Sequence, residues 1–163
     1  MSHLCVALQG PLGLMKVTER GTLEMATGFR NWIDTVMATP EVTSVMLDVS
    51  DCTGLDSTFM GLMVSLGIRA MKSKRPLALF VVNASPFHRK LLDGIGVSRI
   101  WKYMEEKVPK LDHATLAEVA RTASVMDPAT RDIIIAAHQA LMNVDENNIP
   151  KFKDVVELLS TQQ

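Results

Sequence analysis

The stretch from residue 44 to residue 72 constrains the fold most, because a short β-type run leads there into a long apolar helix. Residues 45–49 read Val-Met-Leu-Asp-Val and are followed by turn-forming side chains. The apolar run beyond the turn is too long and too poor in β-branched residues for a strand, and it begins at Asp56, Ser57 and Thr58. A strand that leads into a buried helix is typical of an α/β sheet covered by helices.

The start of this helix places a hydroxyl group where negative charge is tolerated. The first N–H groups of a helix lack partners within the helix, and the helix dipole gives them a partial positive charge. In the simplest interpretation, Asp56, Ser57 and Thr58 are an N-cap and its first turn. The alternative hypothesis is a phosphorylation switch at Ser57, with Thr58 as the second candidate, because a phosphate at a helix start costs the fold little.

Three blocks of the sequence resemble the STAS domain family, which includes anti-sigma-factor antagonists and the cytoplasmic domains of sulfate transporters. The first block contains Asp48, the Asp-Ser-Thr triplet at residues 56–58, Gly61 and the apolar helix. Residues 76–82 are similar to the next strand of the family, and residues 85–101 are similar to its third helix, terminal glycine and last short strand. The resemblance covers roughly the first two-thirds of the chain.

The resemblance implies an α/β fold with a STAS-like sheet of about four to five strands, mostly parallel, with helices packed on it. The turn signal around Gly10 predicts an N-terminal hairpin that opens the sheet. We expect residues 1–108 to form the STAS-like domain. Residues 109–163 are then a C-terminal helical extension, which the family pattern does not predict.

The extension carries three helical signals and almost no strand signal. We predict helices over residues 114–123, from Asp127 onward, and around residues 152–159. The last of these has an apolar stripe from Phe152 to Leu159, and such a stripe is rarely left exposed to water. The last two helices are predicted to form an antiparallel hairpin that packs on the domain, or alternatively on a partner or a second copy in a homodimer.

Composition excludes several function classes. A net charge of -1 gives no electrostatic case for nucleic acid or an anionic membrane as a partner, and no run approaches the length of a spanning helix. The N-terminus lacks the features of a signal peptide. Cys5 and Cys52 belong to no metal or redox spacing and are typical of a reducing compartment, so we expect a cytoplasmic protein without metal or cofactor.

The resemblance implies a non-enzymatic regulatory protein that acts as an anti-sigma-factor antagonist. Such a protein binds a serine-kinase anti-sigma factor until that kinase phosphorylates the residue matching Ser57. The expected docking surface contains Thr22, Asp48, Asp51, Asp56, Ser57, Thr58 and Gly61. The alternative is a STAS subunit of a lipid-transport complex of the ABC type, which would bind an ATPase without being phosphorylated.

A hydrolase with Ser57 as nucleophile is the competing hypothesis from another class, and the sequence disfavours it. Ser57 lacks the G-x-S-x-G elbow, and no histidine has an obvious Asp partner. We expect His88 on the solvent side of its helix and His138 inside the C-terminal hairpin as a satisfied interface histidine. The histidines considered as bases are His3, His88, His113 and His138.

Overall fold

The computed structural model describes residues 1–124 and 127–161. In those ranges helices pack on a mixed β-sheet, and side chains from both form the hydrophobic core. The strands are His3–Gln9 (β1), Leu12–Gly21 (β2), Ser44–Asp48 (β3), Cys52–Leu55 (β4), Ala78–Val82 (β5), Lys102–Tyr103 (β6) and Ala117–Glu118 (β7). The α-helices are Ala26–Met37 (α1), Ser57–Lys72 (α2), Pro86–Gly94 (α3), Pro128–Val144 (α4) and Ile149–Ser160 (α5).

The sheet has the strand order β6-β5-β3-β2-β1-β7, and β4 pairs with β2 beside this path. β1 and β2 form the predicted antiparallel hairpin, with Leu4 opposite Val17 and a left-handed Gly10 in the turn. The pairs β2–β3, β2–β4, β3–β5 and β5–β6 are parallel. The predicted mostly parallel α/β sheet is therefore confirmed. The predicted count of four to five strands is low, because β4, β6 and β7 are only two to four residues long.

The prediction of a helix over residues 114–123 is wrong. β7 lies in this segment and pairs antiparallel with β1, placing Ala117 opposite Val6. The Val119 N–H then donates to the Leu4 carbonyl at 2.9 Å. The open edge of β1 offers unpaired backbone groups, and pairing with them outweighs a weak local preference for helix. β7 thus joins the sheet from beyond residue 108, and the division into 1–108 and 109–163 stays a prediction.

Helix α2 lies at the centre of the packing. Ten of its sixteen residues are buried, and the ring of its Phe59 meets Phe29 of α1 edge to face at 4.9 Å between centroids. This burial on several faces explains why the sequence of α2 is apolar on most sides.

Helix α4 packs along α2 and adds Ala137, Ala140 and Leu141 to the hydrophobic core. Helix α5 packs on α4 but contains no buried residue, and Leu158 on it is exposed. A homodimer through these helices stays a prediction. In the described ranges, no helix is both long enough and apolar enough to cross a membrane.

Candidate functional site

Asp56 fixes the start of α2. Its Oδ1 accepts a hydrogen bond from the Phe59 N–H at 2.8 Å, as an N-cap does. Its Oδ2 accepts from the Leu23 N–H at 2.8 Å, and the Asp56 N–H donates to the Gly21 carbonyl at 2.9 Å. These bonds join the start of α2 to the loop that follows β2. The half-buried Thr22 lies in this loop, between Gly21 and Leu23. Its expected place beside Ser57 on a docking surface stays a prediction.

Ser57 is the first residue of α2, and its side chain is half-buried. Its Oγ lies 2.8 Å from Nε2 of His138, a residue of α4. The other ring nitrogen, Nδ1, lies 2.7 Å from the Ile134 carbonyl oxygen, which can only accept, so Nδ1 donates. In the neutral ring Nε2 is then the acceptor, and the Ser57 hydroxyl donates to it.

The imidazole of His138 is buried and bonded at both ring nitrogens. It is only 4% exposed, and the ring of Phe152 from α5 meets it edge to face at 5.2 Å between centroids. A buried imidazole with both nitrogens bonded has one fixed orientation. Its Nε2 is therefore directed at the Ser57 hydroxyl.

Helix α4 also covers the turn of α2 that follows Ser57. Gly61 is buried, and a Cβ added to it would lie 2.3 Å from the Ala137 carbonyl oxygen. Thr58 is 3% exposed. Thr58 and Gly61 therefore do not reach water in this arrangement, and their place on a docking surface stays a prediction that requires α4 to move.

Asp48 lies inside the protein, so its expected place on an exposed surface is corrected. The carboxylate is fully buried at the end of β3 and accepts from the N–H groups of Ser50 and Leu111, each at 2.9 Å. It also accepts from Asn83 Nδ2 at 3.2 Å and pairs with the buried Lys16 ammonium at 3.4 Å. Burial raises the pKa of Asp48, but the hydrogen bonds from Ser50, Leu111 and Asn83 outweigh it and lower the pKa overall.

Asp51 lies at the surface, where two lysine side chains balance its negative charge. Its two oxygens lie 2.9 Å from the Lys16 and Lys110 ammonium groups. The hydrogen bond from Lys110, and then that from Lys16, lowers the pKa of Asp51. The sequence analysis places Asp48, the last residue of β3, and Asp51 on one docking surface with five other residues, and that joint surface stays a prediction. The other five are Thr22, Asp56, Ser57, Thr58 and Gly61.

His88 is buried, contrary to its predicted place on the solvent side of α3. The Ser85 N–H donates to its Nδ1 at 3.0 Å, and its Nε2 donates to the Cys52 carbonyl at 2.7 Å. Ser85 and His88 thus form a capping box, which turns the imidazole of His88 back towards the start of α3 and towards β4. His3 contacts Glu118 at 2.8 Å, and His113 stacks on His3.

The contact between Ser57 and His138 is the feature that sequence reasoning missed. The two residues are 81 positions apart, and no motif links them. Because Nδ1 of His138 bonds a backbone carbonyl instead of a carboxylate, the pair does not form a Ser-His-Asp triad. Within the described ranges, no group of three or more His, Cys, Asp or Glu side chains could hold a metal ion.

Comparison with solved structures identifies the fold. The anti-sigma factor antagonist SpoIIAA in its unphosphorylated form aligns with a TM-score of 0.50 and 16% identity, over 66% of this chain and 90% of that chain. The chain has a SpoIIAA-like fold. The protein TM1081, solved by NMR, aligns with a TM-score of 0.53 and 18% identity, over 61% of this chain and 78% of that chain.

The phosphorylated form of SpoIIAA from Bacillus aligns with a TM-score of 0.49 and 16% identity, over 63% of this chain and 92% of that chain. No protein-family model matches the sequence, and neither does any curated protein. Identities this low show the fold alone. The predicted STAS-like fold is therefore confirmed, while the partner and the phosphorylation remain to be tested.

Proposed function

We propose that this protein is a non-enzymatic regulatory binding protein of the anti-sigma-factor antagonist type, controlled by phosphorylation of Ser57. Its partner in this proposal is a serine-kinase anti-sigma factor. The observation that carries the proposal is the place of Ser57: the first residue of α2 in a SpoIIAA-like fold, with a half-buried side chain.

The chemistry required is a single phosphoryl transfer. The kinase moves the γ-phosphoryl group of ATP to Ser57 Oγ, the hydroxyl proton leaves, and ADP is released. The modified side chain then carries a charge of about -1.5 to -2. The partial positive charge at the start of α2 offsets part of the repulsion within the fold.

Thr58 is a poorer acceptor than Ser57. Its side chain is almost completely buried, at 3% exposed, so a kinase could reach it only after the start of α2 had opened. The half-buried Ser57 needs a smaller displacement. This difference supports Ser57 as the modified residue.

Loss of binding follows from the position of the new charge. A phosphate at the start of α2 would occupy space that a docked partner needs, and it would repel acidic side chains on that partner. A loss of about 3 kcal/mol at the interface lowers affinity more than a hundredfold, which is enough for an on/off response.

Two full-length variants test this proposal against a purified serine-kinase anti-sigma factor from the same cells. Ser57→Asp should weaken binding about a hundredfold while the thermal melting temperature stays close to that of the wild type. Ser57→Ala should bind as the wild type does and accept no phosphate. Ser73→Asp, an acidic change at the exposed C-terminal end of α2, is the matched control and should bind normally.

Two outcomes would reject the proposal. One is Ser57→Asp binding the kinase as tightly as the wild type does. The other is recovery of a transport ATPase that binds wild type, Ser57→Asp and Ser57→Ala equally well. That second result would favour the alternative role as a subunit of a lipid-transport complex.

A further inference from the structure

The hydrogen bond between Ser57 and His138 links the proposed phosphorylation site directly to the C-terminal hairpin, α4 and α5. Among the described residues, three groups bond the His138 ring or meet it as a neighbouring ring: the Ser57 hydroxyl from α2, the Ile134 carbonyl from α4 and the Phe152 ring from α5. None of these three groups carries a charge. Because the Ile134 carbonyl holds Nδ1, Nε2 faces Ser57 without any turn of the ring.

We propose that His138 is a phosphate-binding residue, whose protonated ring pairs with phosphorylated Ser57 and holds the α4–α5 hairpin against α2. This inference rests on the proposed function. When Oγ takes up the phosphoryl group, the hydroxyl hydrogen that Nε2 accepted is lost, and Nε2, 2.8 Å from Oγ, can take up that proton. A proton on Nε2 converts the lone pair that would repel the phosphate into an N–H donor, while Nδ1 keeps its bond to Ile134.

Two features of the site favour the group. Ser57 is half-buried, so phosphate oxygens that do not face His138 can reach water. The phosphate also lies at the start of a sixteen-residue helix, where the backbone favours an anion. The neighbouring Asp56 already uses its two carboxylate oxygens to accept from the Phe59 and Leu23 N–H groups.

Pairing of the phosphate with protonated His138 would be stronger than the neutral hydrogen bond between Ser57 and His138 in the unmodified protein. A hydrogen bond between two charged groups is roughly twice as strong as a neutral one. Phe152 is half-buried, and α5 has no buried residue, so the outer helix of the hairpin buries less of its surface than α2 or α4 does. Phosphorylation would therefore fasten the hairpin more firmly over Gly61, and the covered face of α2 would become less available to a partner.

The test compares full-length proteins with and without phosphoserine installed at position 57 by genetic encoding, each with His138 and with His138→Gln. Amide hydrogen exchange is followed in α4 and α5. Phosphorylation should slow this exchange about tenfold when His138 is present and clearly less in His138→Gln, because the glutamine amide can donate only an uncharged hydrogen bond to the phosphate. His113→Gln, on an exposed histidine stacked with His3, is the control and should keep the full effect.

A ¹⁵N NMR spectrum of the histidine side chains gives a second readout, because an imidazole protonated on both nitrogens has a distinct signature. Faster exchange after phosphorylation would overturn the inference, as would equal slowing in His138→Gln. Failure of the phosphorylated chain to fold would also overturn it, since the site is proposed to accommodate the group. The phosphate here is installed without a kinase or partner, so failure of the proposed function would not produce any of these results.

Discussion

The α-carbon of Gly61 packs so closely against the Ala137 carbonyl that a Cβ on Gly61 would lie 2.3 Å from that oxygen. Gly61 is one helical turn beyond Ser57, and Ala137 precedes His138. The missing side chain at Gly61 therefore lets α2 and α4 meet backbone to backbone, which brings the Ser57 hydroxyl within 2.8 Å of the His138 ring. The site depends on this close approach as much as on its polar groups.

Gly61→Ala should separate the two helices. The added methyl group meets backbone atoms that cannot rotate away, so we expect a loss of about 1–3 kcal/mol in the free energy of unfolding. Urea denaturation measures this loss. The matched control is Gly94→Ala, since a Cβ there has no heavy atom within 4 Å and adds helix propensity. Equal stability of the two variants would contradict the close packing described above.

The buried pair of Asp48 and Lys16 predicts that the stability of the fold depends on pH in the acid range. Hydrogen bonding lowers the pKa of Asp48 in the folded protein, so its contribution is present above the ordinary carboxyl value of 3.8. That contribution is lost as the pH falls through the lower pKa of the folded state. Urea midpoints measured from neutral pH downward should fall steeply in this acid range for the wild type.

Asp48→Asn should flatten that acid dependence and should lower stability at neutral pH. The change leaves Lys16, at 2% exposed, without one of its two carboxylate partners. Because Asp51 still pairs with Lys16, we expect a cost near the lower end of the usual range, about 3 kcal/mol. Asp51→Asn is the control, and it should cost less because Asp51 is exposed. An unchanged acid profile in Asp48→Asn would show that other groups govern it.

The sequence predicted the parts of the site that are local. A short polar side chain directly before a long apolar run favours an N-cap. In the structure Asp56 is that N-cap, and Ser57 is the first residue of α2. The parallel strands and the N-terminal hairpin follow from equally local signals in residues 3–21 and 44–48.

The parts that depend on distant contacts could not be predicted. The bond from Ser57 to His138 spans 81 positions and exists because α4 packs on Gly61. The segment that forms β7 is predicted as helix because its pairing with the distant β1 leaves no signal in its own residues. His88 is expected at the surface, whereas its ring bonds both Ser85 in the capping box and the carbonyl of Cys52 on another element.

Mass spectrometry of the protein isolated from its native cells tests the central claim most directly. We expect the peptide containing Ser57 to carry one phosphoryl group in part of the population. Phosphatase should remove this group, and it should be missing in Ser57→Ala. A Ser57 that stays unmodified in every growth condition, while the wild-type protein still changes its partner binding, would contradict the account.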